Sequence, residues 1–363
     1  MVTNLPKEAK AQWQRVVNAR NKEEKLRELE KFYSLIPKHK GTKNLLKHIR
    51  SQMARLREEI ETAKRRKTGS VVVSPWFKPK HGIARVAMVG SQYSLYSLLA
   101  ERLNNKNLLN LTWSFEPYYT VLNGEDYQFQ LVTLPLIGVS ESIDNRIINF
   151  LDTCDYVLVL GINEKSLHDT VVHLYHLGII ITDKKIEFKI KKMPSGGLRI
   201  IGWSGDPKKH DDLKKMLSEY DFKHAIIEIP YELTLEEIEN ILLGIAKYIK
   251  GRGLIITSNG PFLSYRIRGL EIQYDNEILY ENLAGLILNE LDFIRVYPSE
   301  DLRRKGSPVV LKKGSTVHDL LLVLHERFNE YFNYALVNRK GKIIKVSRNY
   351  LLEDGDIINI RLR

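Results

Sequence analysis

The chain has 363 residues, 43% of them hydrophobic, with one cysteine, so it can bury two or three domain cores but cannot form an internal disulfide. No run of about 18 apolar residues suggests a membrane span, and the polar start Met1-Val2-Thr3-Asn4 lacks the apolar segment of a signal peptide, so a cytoplasmic protein is expected. The net charge of +12 is uneven: residues 1–80 carry 21 Lys and Arg against 8 Glu and no Asp, a net +13, which leaves −1 for the other 283 residues and suggests a basic module that meets a polyanion.

Residues 6–37 read as one helix, with Trp13, Val16, Val17, Leu26, Leu29, Phe32, Tyr33 and Ile36 at helical spacing and Pro6 suited to its first turn. A turn at 38–42 leads to a second helix over 43–66, striped by Leu45, Leu46, Ile49, Met53, Leu56 and Ile60. Two stripes joined by a short turn predict an antiparallel hairpin. Its candidate phosphate-contacting residues are Lys38, Lys40, Lys43, Lys47, Arg50, Lys64, Arg65, Arg66 and Lys67, against the plainer reading of a solvated helical surface.

Residues 68–82 form a linker punctuated by Gly69, Pro75, Pro79 and Gly82. Strands at 83–89, 129–134 and 156–160 then alternate with helices at 94–103 and 143–151, which predicts a parallel sheet covered by helices. Residues 166–224 break that rhythm. A helix at 166–177, short strands at 179–181, 186–190 and 198–201, and a helix at 207–219 suggest a small α+β insertion. The parallel pattern resumes with a strand at 225–229, a helix at 234–249, a strand at 254–257 and a helix at 276–290. The last 70 residues read as strands around one helix, capped by Ser315 or Thr316 with Asp319 near its positive end, a β-grasp.

In its order of modules the chain resembles the developmentally regulated GTP-binding proteins, within the Obg-like GTPases. The resemblance rests on Leu45-Leu46-Lys47 and Ala54 to Glu59 in the hairpin, and on Leu177-Gly178-Ile179 and Phe188 to Lys192 in the insertion. It rests also on Asp292 to Tyr297, Gly314 to Asp319, Tyr334 to Val337 and Leu352 to Ile358, which look like that family's TGS domain. It implies an α/β, P-loop GTPase-like parallel sheet (83–165 and 225–292) with an N-terminal helical hairpin (1–67), an inserted domain (166–224) and a C-terminal TGS domain (293–363). It also implies GTP binding and hydrolysis, and association with ribosomes.

The nucleotide motifs depart from that pattern. A phosphate loop needs G-x-x-x-x-G-K-[ST]; here Gly90 and Ser97 match, but Leu95 replaces the second glycine and Tyr96 the lysine. The family's switch threonines fall near Pro117-Tyr118. Its D-x-P-G falls at Thr133 to Leu136, keeping only Pro135. Its N-K-x-D falls at Thr257 to Gly260, where Gly260 offers no carboxylate to the base, and its S-A element falls near Gln273-Tyr274. A neutral phenol cannot offset triphosphate charge as an ammonium does, so no catalytic residue, no cofactor and no metal are expected. The expected protein is a pseudo-GTPase that binds ribosomes or RNA without DNA specificity, with a protein partner possible through the TGS domain. One alternative is a divergent GTPase holding GTP and Mg²⁺ through a displaced lysine such as Lys106 or Lys80. Another is a pure interaction scaffold. His168, His173 and His176 share a helix but no zinc motif, and read as a helical surface.

Overall fold

The computed structural model describes residues 5–39, 42–67, 75–102, 115–183, 186, 188–203, 207–220, 222–229, 233–324 and 331–362, with backbone alone for 44, 55, 58, 59, 62–67, 77 and 207. No described helix is long and apolar enough to cross a membrane.

The first 67 residues form three helices, α1 (Lys7–Asn18), α2 (Lys22–Leu35) and α3 (Lys43–Lys67). The single helix expected over 6–37 is broken, because Ala19 leaves helical geometry and Asn21 starts a new helix by accepting the Glu24 N–H at 2.8 Å. Only α2 and α3 form the expected hairpin; α1 turns back so that Trp13 packs on Phe32 with ring centroids 4.9 Å apart.

An eight-stranded sheet organises the middle of the chain. It contains β1 (Arg85–Val89), β2 (Tyr118–Asn123), β3 (Gln128–Thr133), β4 (Tyr156–Gly161), β5 (Ile179–Thr182), β9 (Lys247–Ile255), β10 (Phe262–Arg268) and β11 (Glu271–Ile278), in the order β11-β10-β5-β9-β4-β1-β3-β2. Strands β3, β1, β4, β9 and β5 run parallel to their neighbours in that core, and β2, β10 and β11 add antiparallel edges. Both faces are covered. Val86 and Met88 of β1 pack with α4 (Tyr93–Arg102) and α9 (Tyr280–Glu290), while Ala87 and Val89 pack with α5 (Glu141–Leu151) and α6 (Glu164–His176). This two-sided burial is why β1 is apolar at every position but Arg85.

Four elements differ from expectation. The strand at 179–182 belongs to the large sheet. The strand β8 (Ala225–Glu228) instead sits between β6 (Lys189–Lys192) and β7 (Leu198–Ile201) in a separate three-stranded sheet, backed by α7 (Pro207–Glu219). The helix expected over 234–249 stops early: α8 covers Leu235–Leu242, Gly244 turns the chain at φ +66°, and the residues from Lys247 pair with β5. The chain after Gly260, where no element is expected before residue 276, is the β10–β11 hairpin, closed at Gly269 with φ +64°, and the helix expected from 276 starts at Tyr280.

The small sheet, α7, α8 and the N-terminal helices share one apolar core, centred on Leu29, Phe32, Leu213, Leu217 and Ile227. The Trp13 indole N–H donates to the Leu242 carbonyl at 3.0 Å, and Lys10 pairs with Glu219. The basic helices are therefore built onto the inserted unit.

The C-terminal unit is a β-grasp of β12 (Phe293–Pro298), β13 (Val309–Lys312), α10 (Val317–Leu324), β14 (Phe332–Arg339), β15 (Lys342–Val346) and β16 (Ile357–Leu362), ordered β13-β12-β16-β14-β15. As expected, Thr316 and Asp319 cap α10, with Thr316 N–H donating to Asp319 at 2.7 Å and that carboxyl held below its usual range by this bond.

Candidate functional site

Ligands of open parallel sheets bind beyond the carboxyl ends of the strands. That edge brings together Gly90 after β1, Thr133 and Pro135 at the end of β3, and Thr257 and Gly260 after β9. Residues expected to form one nucleotide site are thus neighbours, and the question becomes what fills it.

At the phosphate-loop position the connection is short. Gly90, Ser91 and Gln92 link β1 to α4, which starts at Tyr93, so Leu95 and Tyr96 lie in the first turn of the helix and not in a loop. Both are 1% exposed, whereas Ser97 points to solvent. A Cβ placed on Gly90 would lie 2.1 Å from Leu95 Cδ2, so the leucine side chain occupies the ground directly over the strand end. The Tyr96 hydroxyl donates to the Leu134 carbonyl. Burial first, then Tyr93, raises that phenol well above its usual range, and it stays neutral. A glycine and an ammonium would open this corner and charge it; a leucine and a buried phenol close it and leave it neutral.

The neighbouring loop is tied to the same place. Leu134 N–H donates to Met88 at 3.0 Å and Ile137 N–H to the Gly90 carbonyl at 3.1 Å. Thr133 holds a buried hydroxyl where the magnesium-supporting carboxylate is expected, and Pro135 is buried beside it. Pro117 is buried and Tyr118 opens β2. Ser91 Oγ lies 2.8 Å from Thr170 of α6, which further fixes the connection.

The base-reading side is equally self-satisfied. Thr257 donates to the carbonyls of Asn259 and Pro261 at 2.8 and 3.0 Å, closing its own turn. Gly260 sits at φ +89°, and its carbonyl accepts from Arg102, whose guanidinium stands 5.3 Å over the Phe262 ring. Gln273 and Tyr274 fall within β11, with Tyr274 opposite Tyr265 in the hairpin, so they are not in a loop at the strand ends.

Of the displaced lysines, Lys80 pairs with Asp155, which also accepts the Arg85 N–H at the opposite end of β1. Five residues of strand separate them from Gly90, about 15 Å. Lys106 lies outside the described residues. Among the described residues, those at the motif positions therefore do not fit a magnesium triphosphate. His173 is engaged with Asp144 at 3.1 Å, whose other oxygen accepts the Gly138 N–H at 2.8 Å.

On the basic arm, Lys43, Lys47 and Arg50 stand at i, i+4 and i+7 of α3, all exposed and on one face. Lys38 is exposed in the preceding turn. Lys47 lies 3.4 Å from Glu141, and Arg50 donates to the Tyr33 hydroxyl at 2.6 Å. Lys40 lies outside the described residues, as do the side chains of Lys64, Arg65, Arg66 and Lys67, whose backbone continues α3. Sequence reading missed Arg102 and Ser91, whose partners come from distant parts of the chain and leave no local pattern.

Residues 302–362 match the TGS domain family. The chain is 25% identical to a GTP-binding protein of Methanocaldococcus jannaschii, over 94% of this chain and 93% of that protein. It is 23% identical to ribosome-interacting GTPase 1 of Saccharomyces cerevisiae, over 93% of this chain and 98% of the relative. It is 25% identical to developmentally-regulated GTP-binding protein 1 of Xenopus laevis, with the same coverages of 93% and 98%.

Proposed function

We propose that this chain, a TGS-bearing homologue of the developmentally regulated GTP-binding proteins, is a ribosome- or RNA-binding translation factor that has lost guanine-nucleotide chemistry. One observation carries the reading: Leu95 and Tyr96 lie buried in the first turn of α4, over Gly90 and against Leu134, where a nucleotide-binding relative needs open backbone and a cation. The basic helices supply the alternative interaction. Their charge of +13 over residues 1–80 suits phosphate contact without sequence readout, and one full-length relative is named for interaction with ribosomes. The TGS domain offers a second contact surface for RNA or protein.

Calorimetry of the purified chain with GTP and Mg²⁺ tests the first half. We expect no binding heat and no thermal stabilisation, whereas a ligand at 100 times its Kd would stabilise the fold by about 2.7 kcal/mol. Micromolar GTP affinity would restore the divergent-GTPase reading. Sedimentation with ribosomes tests the second half: charge reversal at Lys64, Arg65, Arg66 and Lys67 should release the protein, and unchanged co-sedimentation would leave only the scaffold reading.

A further inference from the structure

A cavity of about 530 Å³ lies between the α2–α3 hairpin, the helices α5 and α6, and the α8–β9 corner, away from the strand ends just described. Its volume is that of a small-molecule site. It assembles four lysines from three elements, Lys22 and Lys25 of α2, Lys47 of α3 and Lys247 of β9, with Glu236 also in the lining; Lys47 lies 3.4 Å from Glu141 and Lys247 pairs with Asp152. Lys22 and Lys25 are exposed and one turn apart at the start of α2, where the helix dipole adds to their charge.

The rest of the lining is of another kind. Tyr175 and His176 present two rings at 6.4 Å, edge to face, next to Ile148. Asn145, Asn149 and Asn240 line the same cavity. Gln52 hydrogen-bonds His48 at 2.8 Å, and its remaining amide oxygen is buried with no partner among the described residues, an arrangement that costs free energy until a donor arrives. His48 itself is held down to about 4 by burial and then by the charge of Lys247. It is neutral at pH 7 and acts as a hydrogen-bonding group. Basic groups together with apolar, ring and carboxamide groups match a molecule that carries an anionic group and a flat, hydrogen-bonding body.

We infer that this cavity binds a small phosphorylated organic molecule of mononucleotide size, its phosphate on Lys22, Lys25 and Lys47 and its organic body against Tyr175, Gln52 and Asn149. The site is distinct from the filled corner at Gly90 and shares no residue with it.

Calorimetry with AMP, GMP, ribose 5-phosphate, inorganic phosphate and unphosphorylated adenosine tests this. At least one organic phosphate should bind with sub-millimolar Kd and more tightly than both inorganic phosphate and adenosine. The double variant Lys22→Gln/Lys25→Gln, confined to exposed side chains, should weaken it about tenfold, as expected for losing a charge-assisted contact. Ser51→Phe, which fills the cavity without changing its charge, should abolish binding, while Ser97→Ala should leave it unchanged. Absence of binding by every organic phosphate would overturn the proposal, as would inorganic phosphate binding as tightly as they do. Wild-type affinity in the lysine variant would overturn it even if Ser51→Phe does not fold.

Discussion

Replacing Gly90 and Leu95 by alanine, singly and together, asks directly whether a side chain occupies the phosphate corner. Leu95 is 1% exposed, so Leu95→Ala should cost about 3 kcal/mol in lost burial and residual cavity. In an open, solvent-filled cradle the same change would cost about 0.5 kcal/mol or less. Gly90→Ala is permitted by the backbone but drives a methyl to 2.1 Å from Leu95 Cδ2, and the next contact, the Leu160 carbonyl, is an ordinary 3.5 Å away. The single clash should cost about 1–3 kcal/mol. With both changes the new methyl enters the space that the leucine leaves, so the double variant should be more stable than the sum by about 1–3 kcal/mol. Urea denaturation followed by circular dichroism measures all four corners of the cycle. Additivity within about 0.5 kcal/mol would refute the packing on which the proposed function rests.

Tyr96→Phe should cost about 1–3 kcal/mol by orphaning the buried Leu134 carbonyl, read by the same denaturation, and GTP should not rescue it. The amides of Leu134 and Ile137, bonded to Met88 and Gly90, should exchange slowly with deuterium at the same rate with and without GTP and Mg²⁺. His48 titrates near 6.5 when unfolded but about 4 in the fold, so its unfolded form binds more protons in that interval. Its contribution, about 3 kcal/mol, is present above pH 6.5 and lost as pH falls from 6.5 to 4; the slope should flatten in His48→Gln. Each lysine removed from Lys38, Lys43 and Lys47 should lower the salt dependence of RNA binding by about one unit of log–log slope, measured by filter binding across salt concentrations.

The parallel core was readable because β1 and β4 are apolar on both faces and sit between helical periods, a pattern few other folds need. The TGS unit was readable from Gly314 to Asp319, where the cap residues of α10 stand together in the chain. The break between α1 and α2 was also present in the sequence, as Asn21 followed three residues later by Glu24, but the continuous stripe from Trp13 to Ile36 masked it. The exchange of strands between the two sheets could not be read. Ile179 to Ile181 and Ala225 to Ile227 are both short apolar runs, and long-range pairing with β9 or with β6 and β7 decides their sheet. For the site, the motif positions showed Leu95 and Tyr96 where the motif has glycine and lysine, but not where those side chains lie. The helix is expected from residue 94 and starts at Tyr93, but that its leucine lies on Gly90 and its phenol on Leu134 depends on packing against β1 and the loop after β3, which the sequence does not show. The cavity beside α2 was invisible for the same reason, since its lysines lie up to 225 positions apart.

GTPase switches move because a terminal phosphate and its metal hold loops that otherwise relax. Here the corresponding positions are tied by the chain's own groups. Tyr96 holds the Leu134 carbonyl, the Gly90 carbonyl holds Ile137, and Arg102 holds Gly260. A ligand can shift a conformational equilibrium only through different affinity for two states, so under the proposed function a nucleotide would have no purchase on this corner. Any RNA or ribosome contact made by the α2–α3 hairpin is then unconditional, governed by salt and by charge. What remains open to control lies elsewhere, where the α2–α3 hairpin meets the nucleotide-type domain around a basic cavity. A ligand seated there would touch α2, α3, α5 and β9 at once, and so could set the angle of the basic helices against the sheet without any hydrolysis.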